Sequence, residues 1–150
     1  MSRALLVLNF MHCMERFATQ IYLTQRGAFK STPLALQLTS ASANERTHVQ
    51  KLGGQIRKLN GRVYPFGWLF QFLGAVAGII TRLGGNSNLF KADTFVETRA
   101  VKDYTGFLKS VHFDMETINL IKGLTVDEEA HVINWRKAGE SLARKRQASN

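Results

Sequence analysis

The chain has 150 residues, 45% of them hydrophobic, with 20 Lys+Arg against 11 Asp+Glu and a formal charge of +9. That is one domain's length with enough apolar material for a core, which excludes a disordered basic tail or a histone-like arm. The single cysteine, Cys13, excludes a disulfide framework and a four-thiolate metal knuckle, and two prolines among ample Leu, Ala and Gln favour helix over strand.

The first helix is expected over about Ala4 to Arg26, where Leu8, Met11, Glu15, Ala18 and Tyr22 share one stripe. Its apolar start resembles a secretory leader, but His12, Glu15 and Arg16 follow with no small-residue cleavage site. A second helix is expected from the hydroxyl-and-proline signal Ser31-Thr32-Pro33 to about Leu59, closed by Asn60-Gly61. One face of it carries Leu38, Ala41, Glu45, His48, Leu52 and Leu59.

The run from Val63 to Thr81 holds no charge and lies near the lower length limit for crossing a bilayer. Pro65, Gln71 and three glycines favour a crossover helix, about Gly67 to Leu83, that is buried or lies on a membrane surface. Gly74 and Gly78 would let it pack close to a neighbour. Gly84 to Asn88 reads as a break. The third main helix, about Leu89 to Val111, aligns Phe90, Glu97, Ala100, Val101, Tyr104 and Leu108. The fourth begins near Asp114 and runs past Trp135 towards Arg144, with Gly123 as a weak point and a basic, frayed tail from about residue 141.

Two of these helices contain Glu-x-x-His, at Glu45–His48 and Glu128–His131. Residues three apart on a helix share a face, so carboxylate and imidazole point the same way. Seven Glu and four His placed at random would yield roughly 0.2 such pairs. Each pair also follows a lone glutamate on an apolar stripe: Glu15 precedes Glu45 by 30 positions and Glu97 precedes Glu128 by 31. The chain thus repeats one pattern, Glu and then Glu-x-x-His. That is the inward-facing ligand set of ferritin-like di-iron or di-manganese bundles. Four buried carboxylates repel one another unless neutralised, and two divalent cations supply four positive charges. A donor set of carboxylate and imidazole without thiolate suits iron or manganese. The fold expected for residues 1–150 is a single all-α, ferritin-like four-helix bundle with a long hydrophobic crossover helix between helices 2 and 3.

Plainer roles compete for individual residues. One Glu-x-x-His is usually a solvated helix pair, and Thr125-x-x-Glu128 matches a capping box. His12 and His112 have no spaced carboxylate partner and are expected in structural or surface positions. Glu129 lies one residue off the metal-facing stripe, and Cys13 reads as a small core residue.

Within the superfamily, the chain resembles the demethoxyubiquinone hydroxylase family over about Met14 to Ile133. The resemblance rests on Glu15 with Ile21-Tyr22, on Glu45-x-x-His48, and on the crossover Pro65 to Gly85 with its Trp-Leu-Phe-x-x-Leu-Gly-Ala start. It continues through Val96-Glu97 with Tyr104 and ends at Asp127-Glu128-x-x-His131. It implies that Glu15, Glu45, His48, Glu97, Glu128 and His131 ligate two iron ions, with manganese as the alternative. Glu45 and Glu128 would bridge the metals, Glu15 and Glu97 would be terminal, and Tyr104 would sit close to metal or substrate. The chain departs from the family at Asp103, where a histidine is usual, and in its basic stretch after His131, where a further apolar helix is usual.

The implied activity is that of an oxygen-activating di-iron monooxygenase hydroxylating a quinone-like ring. Its partners would be an apolar small molecule, dioxygen and an external electron donor, because no nucleotide-binding glycine motif or second redox centre is present. Two other functions remain open: peroxide reduction or iron oxidation at the same centre, and a metal-free helical interaction protein. The charge of +9 suggests nucleic acid, but no helix-turn-helix or aromatic-interleaved basic motif supports it. Four acids committed to the centre leave seven against 20 cationic residues outside. Arg57, Lys58, Arg62 and Arg82 flank the crossover and, with Arg144-Lys145-Arg146, suit an anionic membrane surface. The expected location is cytoplasmic, peripheral on the cytoplasmic face of a membrane, with oligomerisation open.

Overall fold

A computed structural model describes residues 2–29 and 32–148, apart from the side chain of Arg146. Ser31, expected in the start signal of the second helix, lies outside the described residues, as does the Arg146 side chain of the basic cluster. The described residues form five helices and no strand: α1 (Arg3–Arg26), α2 (Pro33–Lys58), α3 (Gly67–Leu83), α4 (Gly85–Ser110) and α5 (Met115–Gln147).

Local chemistry sets the boundaries. Ser2 and Thr32 cap α1 and α2 by accepting from the backbone N–H of Leu5 and Ala35, each at 3.3 Å, and Pro33 opens α2. Asn60 takes a left-handed φ of 56° and ends α2, with the Gly61 N–H donating to the Ile56 carbonyl at 2.9 Å. Asp114 caps α5 by accepting from the Thr117 N–H at 2.8 Å.

Three boundaries differ from expectation. The Gly84–Asn88 break shrinks to Gly84, because Gly85 adopts φ 81° and lets helix restart at once. The Asn88 amide then donates back to the Gly84 carbonyl at 2.9 Å. Gly123 does not interrupt α5, whose neighbouring Ile121 and Leu124 are fully buried. The segment from residue 141 onward remains helical to Gln147 instead of fraying.

The helices pair as α1 with α2 and α4 with α5, and α3 lies along α1. The two hairpins face each other, with α2 and α5 touching at few positions, and polar groups occupy the space between them. Apolar clusters close the bundle above and below that polar layer. One is built on Leu8, Met11, Leu52, Ile121 and Leu124, the other on Ile21, Leu38, Leu89 and Trp135. Asn9 ties down the start of the crossover, donating to the Arg62 carbonyl at 3.2 Å and accepting from the Tyr64 N–H at 2.8 Å.

Gly67, Gly74 and Gly78 form the face of α3 that meets α1, as their spacing anticipates. A Cβ on Gly74 would collide with the Phe17 carbonyl, and one on Gly78 would lie 2.9 Å from the Ile21 carbonyl. The outer face of α3 is exposed and apolar, with Trp68, Phe72, Ile80 and Leu83 on it and Phe66 just before the helix. At 17 residues α3 is about 25 Å long, and no helix among the described residues is long and apolar enough to cross a membrane.

Candidate metal centre

Each of α1, α2, α4 and α5 places one buried glutamate at the bundle's midlayer: Glu15, Glu45, Glu97 and Glu128. His48 and His131 sit one turn after the glutamates of α2 and α5. The six side chains converge in two overlapping groups. Glu15, Glu45, His48 and Glu128 offer ligand atoms within 4.8 Å of one another, and so do Glu45, Glu97 and His131. Glu45 belongs to both. His48 Nδ1 stands 3.0 Å from Glu128 Oε1, 3.4 Å from Glu45 Oε2 and 3.6 Å from Glu15 Oε2. His131 Nε2 lies 3.3 Å from Glu45 Oε1.

The capping-box role for Glu128 does not occur. Thr125 lies mid-helix and donates its hydroxyl to the Ile121 carbonyl at 2.8 Å, while Glu128 is fully buried. Cys13 is a buried free thiol, as expected. His12 is buried, and His112 and Glu129 are exposed.

A further layer of side chains follows the same internal repeat. Tyr104 donates its hydroxyl to Glu15, and Tyr22 donates to Glu97. Each tyrosine lies seven residues after the glutamate of its own helix and serves the glutamate of the other. Trp135 Nε1 donates to the Tyr22 hydroxyl at 3.1 Å. The histidines are crossed in the same manner. Asp127, just before Glu128, holds His48 Nε2 at 3.0 Å, and Asn44, just before Glu45, lies 2.8 Å from His131 Nε2. Sequence reasoning gave no role to Tyr22, Asn44 or Asp127. The repeated Glu-x6-Tyr and Asx-Glu-x-x-His spacings were the signal available for them. Asp93, one turn before Glu97, was also missed; it is buried and accepts from Gln25 at 2.8 Å.

Burial, followed by repulsion from Glu15, Glu128 and Glu97, raises the Glu45 carboxyl well above the ordinary range. Burial and Glu128 raise Glu97, and burial and Glu15 raise Glu128. Burial alone would raise Glu15 too, but hydrogen bonds with Glu45, His48 and Tyr104 outweigh it and lower its pKa. For His48, burial opposes the charged form, yet contacts with Glu128, Glu15 and Glu45 prevail and raise it. Burial lowers His131.

Both carboxylate oxygens of Glu45 and of Glu128, and His48 Nδ1, are fully enclosed without a well-directed hydrogen bond. Native proteins rarely leave such groups unmet. Oxygen and nitrogen donors converging from four helices, with lone pairs unspent, fit hard or borderline divalent cations. This buried cluster has the chemistry and the spacing to hold metal ions.

A family model described as "Ubiquinone biosynthesis protein COQ7" matches residues 6–148. The chain belongs to the COQ7 family. Its members are ferritin-like proteins of ubiquinone biosynthesis with hydroxylase activity, and the all-helical bundle found here has that architecture. A comparison with curated proteins finds none that matches this chain. Within the COQ7 match lie all six converging side chains, both tyrosines and the whole of α3.

An apolar cavity reaches the cluster. It lies between α1 and α4, encloses about 200 Å3, and is walled by Phe10, Met14, Phe17 and Phe95 with Glu97 and Tyr104 also lining it. Arg99 and Asp103 line it as well, paired at 2.8 Å between Nε and Oδ2. Asp103 is thus paired with an arginine one turn earlier.

Proposed function

We propose that the chain is a di-iron, oxygen-activating hydroxylase whose substrate is a quinone-like ring taken from a membrane surface. The observation that carries this reading is the apolar cavity lined by both Glu97 and Tyr104, because it brings an uncharged ring against the carboxylate cluster.

In this reading Glu15, Glu45, His48, Glu97, Glu128 and His131 would hold two iron ions, which would supply the oxygen chemistry with electrons from an external donor, and Glu45 would be shared between the two ligand groups. The protein's own residues do the rest. Phe10, Met14 and Phe17 exclude water from the ring's position. Tyr104 holds Glu15 by its hydroxyl and presents its ring to the cavity, so substrate and ligand geometry are coupled through one side chain. Asp127 and Asn44 fix the ring planes of the two histidines, leaving the opposite nitrogen of His48 turned to the cluster. The exposed aromatics of α3, with Arg62 and Arg82 at its ends, give a surface suited to the face of an anionic bilayer, from which a lipid-soluble ring can enter.

The test is anaerobic loading with ferrous iron, then oxygen and a short-chain demethoxyquinone with a chemical reductant. A quinone product heavier by one oxygen atom, absent in Glu97→Ala, is expected by mass spectrometry. Oxygen consumption with no such product would return the chain to iron oxidation or peroxide reduction. Failure to take up iron or manganese would leave an interaction protein.

A further inference from the structure

A second cleft lies on another flank of α1. It is a groove of about 370 Å3 where α1, α2 and the first half of α3 meet. Arg16, Thr19 and Gln20 of α1, Arg46 and Gln50 of α2, and Gln71 of α3 line it. Two guanidinium groups and three amides face this concavity, and no carboxylate does. Among the described residues neither arginine forms a salt bridge. Arg16 Nη2 donates to Gln71 Oε1 at 2.7 Å, while its Nε–H is shut away from water with no acceptor. The groove therefore offers positive charge, although the Arg16 Nε–H itself is packed against Gly67.

Planar guanidinium donors in a concave, acid-free setting match an anion with several oxygens, above all phosphate. The setting of Gln71 says which phosphate. Trp68 lies one turn before it on the same flank of α3, and Phe72 stands one turn beyond Trp68 on the adjoining face. They are 62% and 59% exposed. A polar groove whose lip is aromatic and open fits a phosphate that carries apolar chains.

We propose that this groove is a phospholipid headgroup subsite, in which Arg16 and Arg46 bind the phosphate while the acyl chains lie along Trp68 and Phe72. The proposal rests on α3 facing a membrane. It adds that the contact is directional: a lipid held at one flank of α3 sets the rotation of the bundle on the bilayer, and with it where the α1–α4 cavity opens.

The experiment uses the iron-loaded protein and vesicles of phosphatidylcholine with and without phosphatidylglycerol, read by co-flotation. Arg46 is exposed, so Arg46→Gln should fold normally. Lys122→Gln removes an equal charge from an exposed site on α5 that does not line the groove. Arg46→Gln should weaken binding to the phosphatidylglycerol vesicles about fivefold to tenfold, and Lys122→Gln less than about twofold. Equal losses from the two variants would overturn the subsite and leave only diffuse attraction. Wild-type protein that binds inorganic phosphate through Arg46, seen by phosphorus NMR, while Arg46→Gln floats like wild type would assign the groove to a soluble phosphate and overturn the lipid. If Trp68→Ser/Phe72→Ser abolishes flotation while Arg46→Gln changes nothing, the membrane reading of α3 stands and the subsite alone falls. No flotation of the wild type with either vesicle would remove both.

Discussion

Asp127 and Asn44 occupy equivalent positions in the two halves of the bundle, yet they differ in charge. Each contacts the histidine of the opposite hairpin: Asp127 backs His48 at the nitrogen away from the cluster, whereas Asn44 meets His131 at Nε2, the same atom that lies 3.3 Å from Glu45. A carboxylate behind an imidazole raises its basicity as a ligand, and loss of such a partner typically weakens metal binding about 10–100-fold. Asp127→Asn is therefore expected to lower affinity for one of two ferrous ions by about that factor, measured by chelator competition; two ions released with unchanged affinities would refute the asymmetry. The tyrosines allow a second comparison. Tyr22→Phe strands both Glu97 and the Trp135 indole N–H, at a cost of about 1–3 kcal/mol in urea unfolding. Tyr104→Phe should cost similar stability and in addition reduce quinone hydroxylation, because Tyr104 alone of the two lines the cavity.

At the scale of the helix, α3 shows how one residue type has opposite consequences at different sites. Glycine in a helix interior is ordinarily about 0.5–1 kcal/mol worse than alanine. Gly123 in α5 has nothing within 4 Å of a Cβ, so Gly123→Ala should stabilise by about that amount. Gly74 has the Phe17 carbonyl in the Cβ position, and backbone cannot move aside as a flexible side chain can. Gly74→Ala should instead destabilise, by about 1–3 kcal/mol, and should loosen α3 from α1. Denaturant midpoints of the two variants shifting in the same direction would count against this account of α3 packing. The same contact explains why α3 lies flat: three glycines commit one face to α1, which leaves its large apolar residues pointing outward.

For the whole molecule, the centre ties stability to pH. Glu45, Glu97 and Glu128 are raised by burial first and by a neighbouring carboxylate second, Glu15 for Glu45 and Glu128 and Glu128 for Glu97, and burial lifts Asp93 to about 8. A group raised in the folded state keeps a proton that the unfolded chain releases. Its contribution is full below the ordinary carboxylate pKa and is lost as pH rises to the folded value. His48, also raised, acts in the same sense, while Glu15, His131 and His12 are lowered and oppose it. The metal-free protein should therefore melt at lower temperature as pH rises from about 5 to 8. Asp93→Asn should flatten that slope. Bound divalent metal replaces the protons, so loading should raise Tm most at the alkaline end. A metal-free Tm that climbs across this window would contradict the assignment of buried, mutually repelling carboxylates.

Much of this was legible in the chain itself. Glutamate and Glu-x-x-His at helical spacing on apolar stripes determined the all-helical fold and the six residues that meet, because a 3.6-residue period says which side chains face inward. The small-residue face of α3 was readable for the same reason. Period alone does not say which helix lies across from which. That Tyr22 reaches Glu97, that Asn44 and Asp127 cross to each other's histidines, and that Asp93 is buried beside Gln25 were decided only when two hairpins docked face to face. Gly85's left-handed turn was likewise settled by the fold, since it depends on backbone geometry that composition does not encode. The cavity at Glu97 and the groove at Arg16 belong to the same class: each is space left between helices, and space has no sequence.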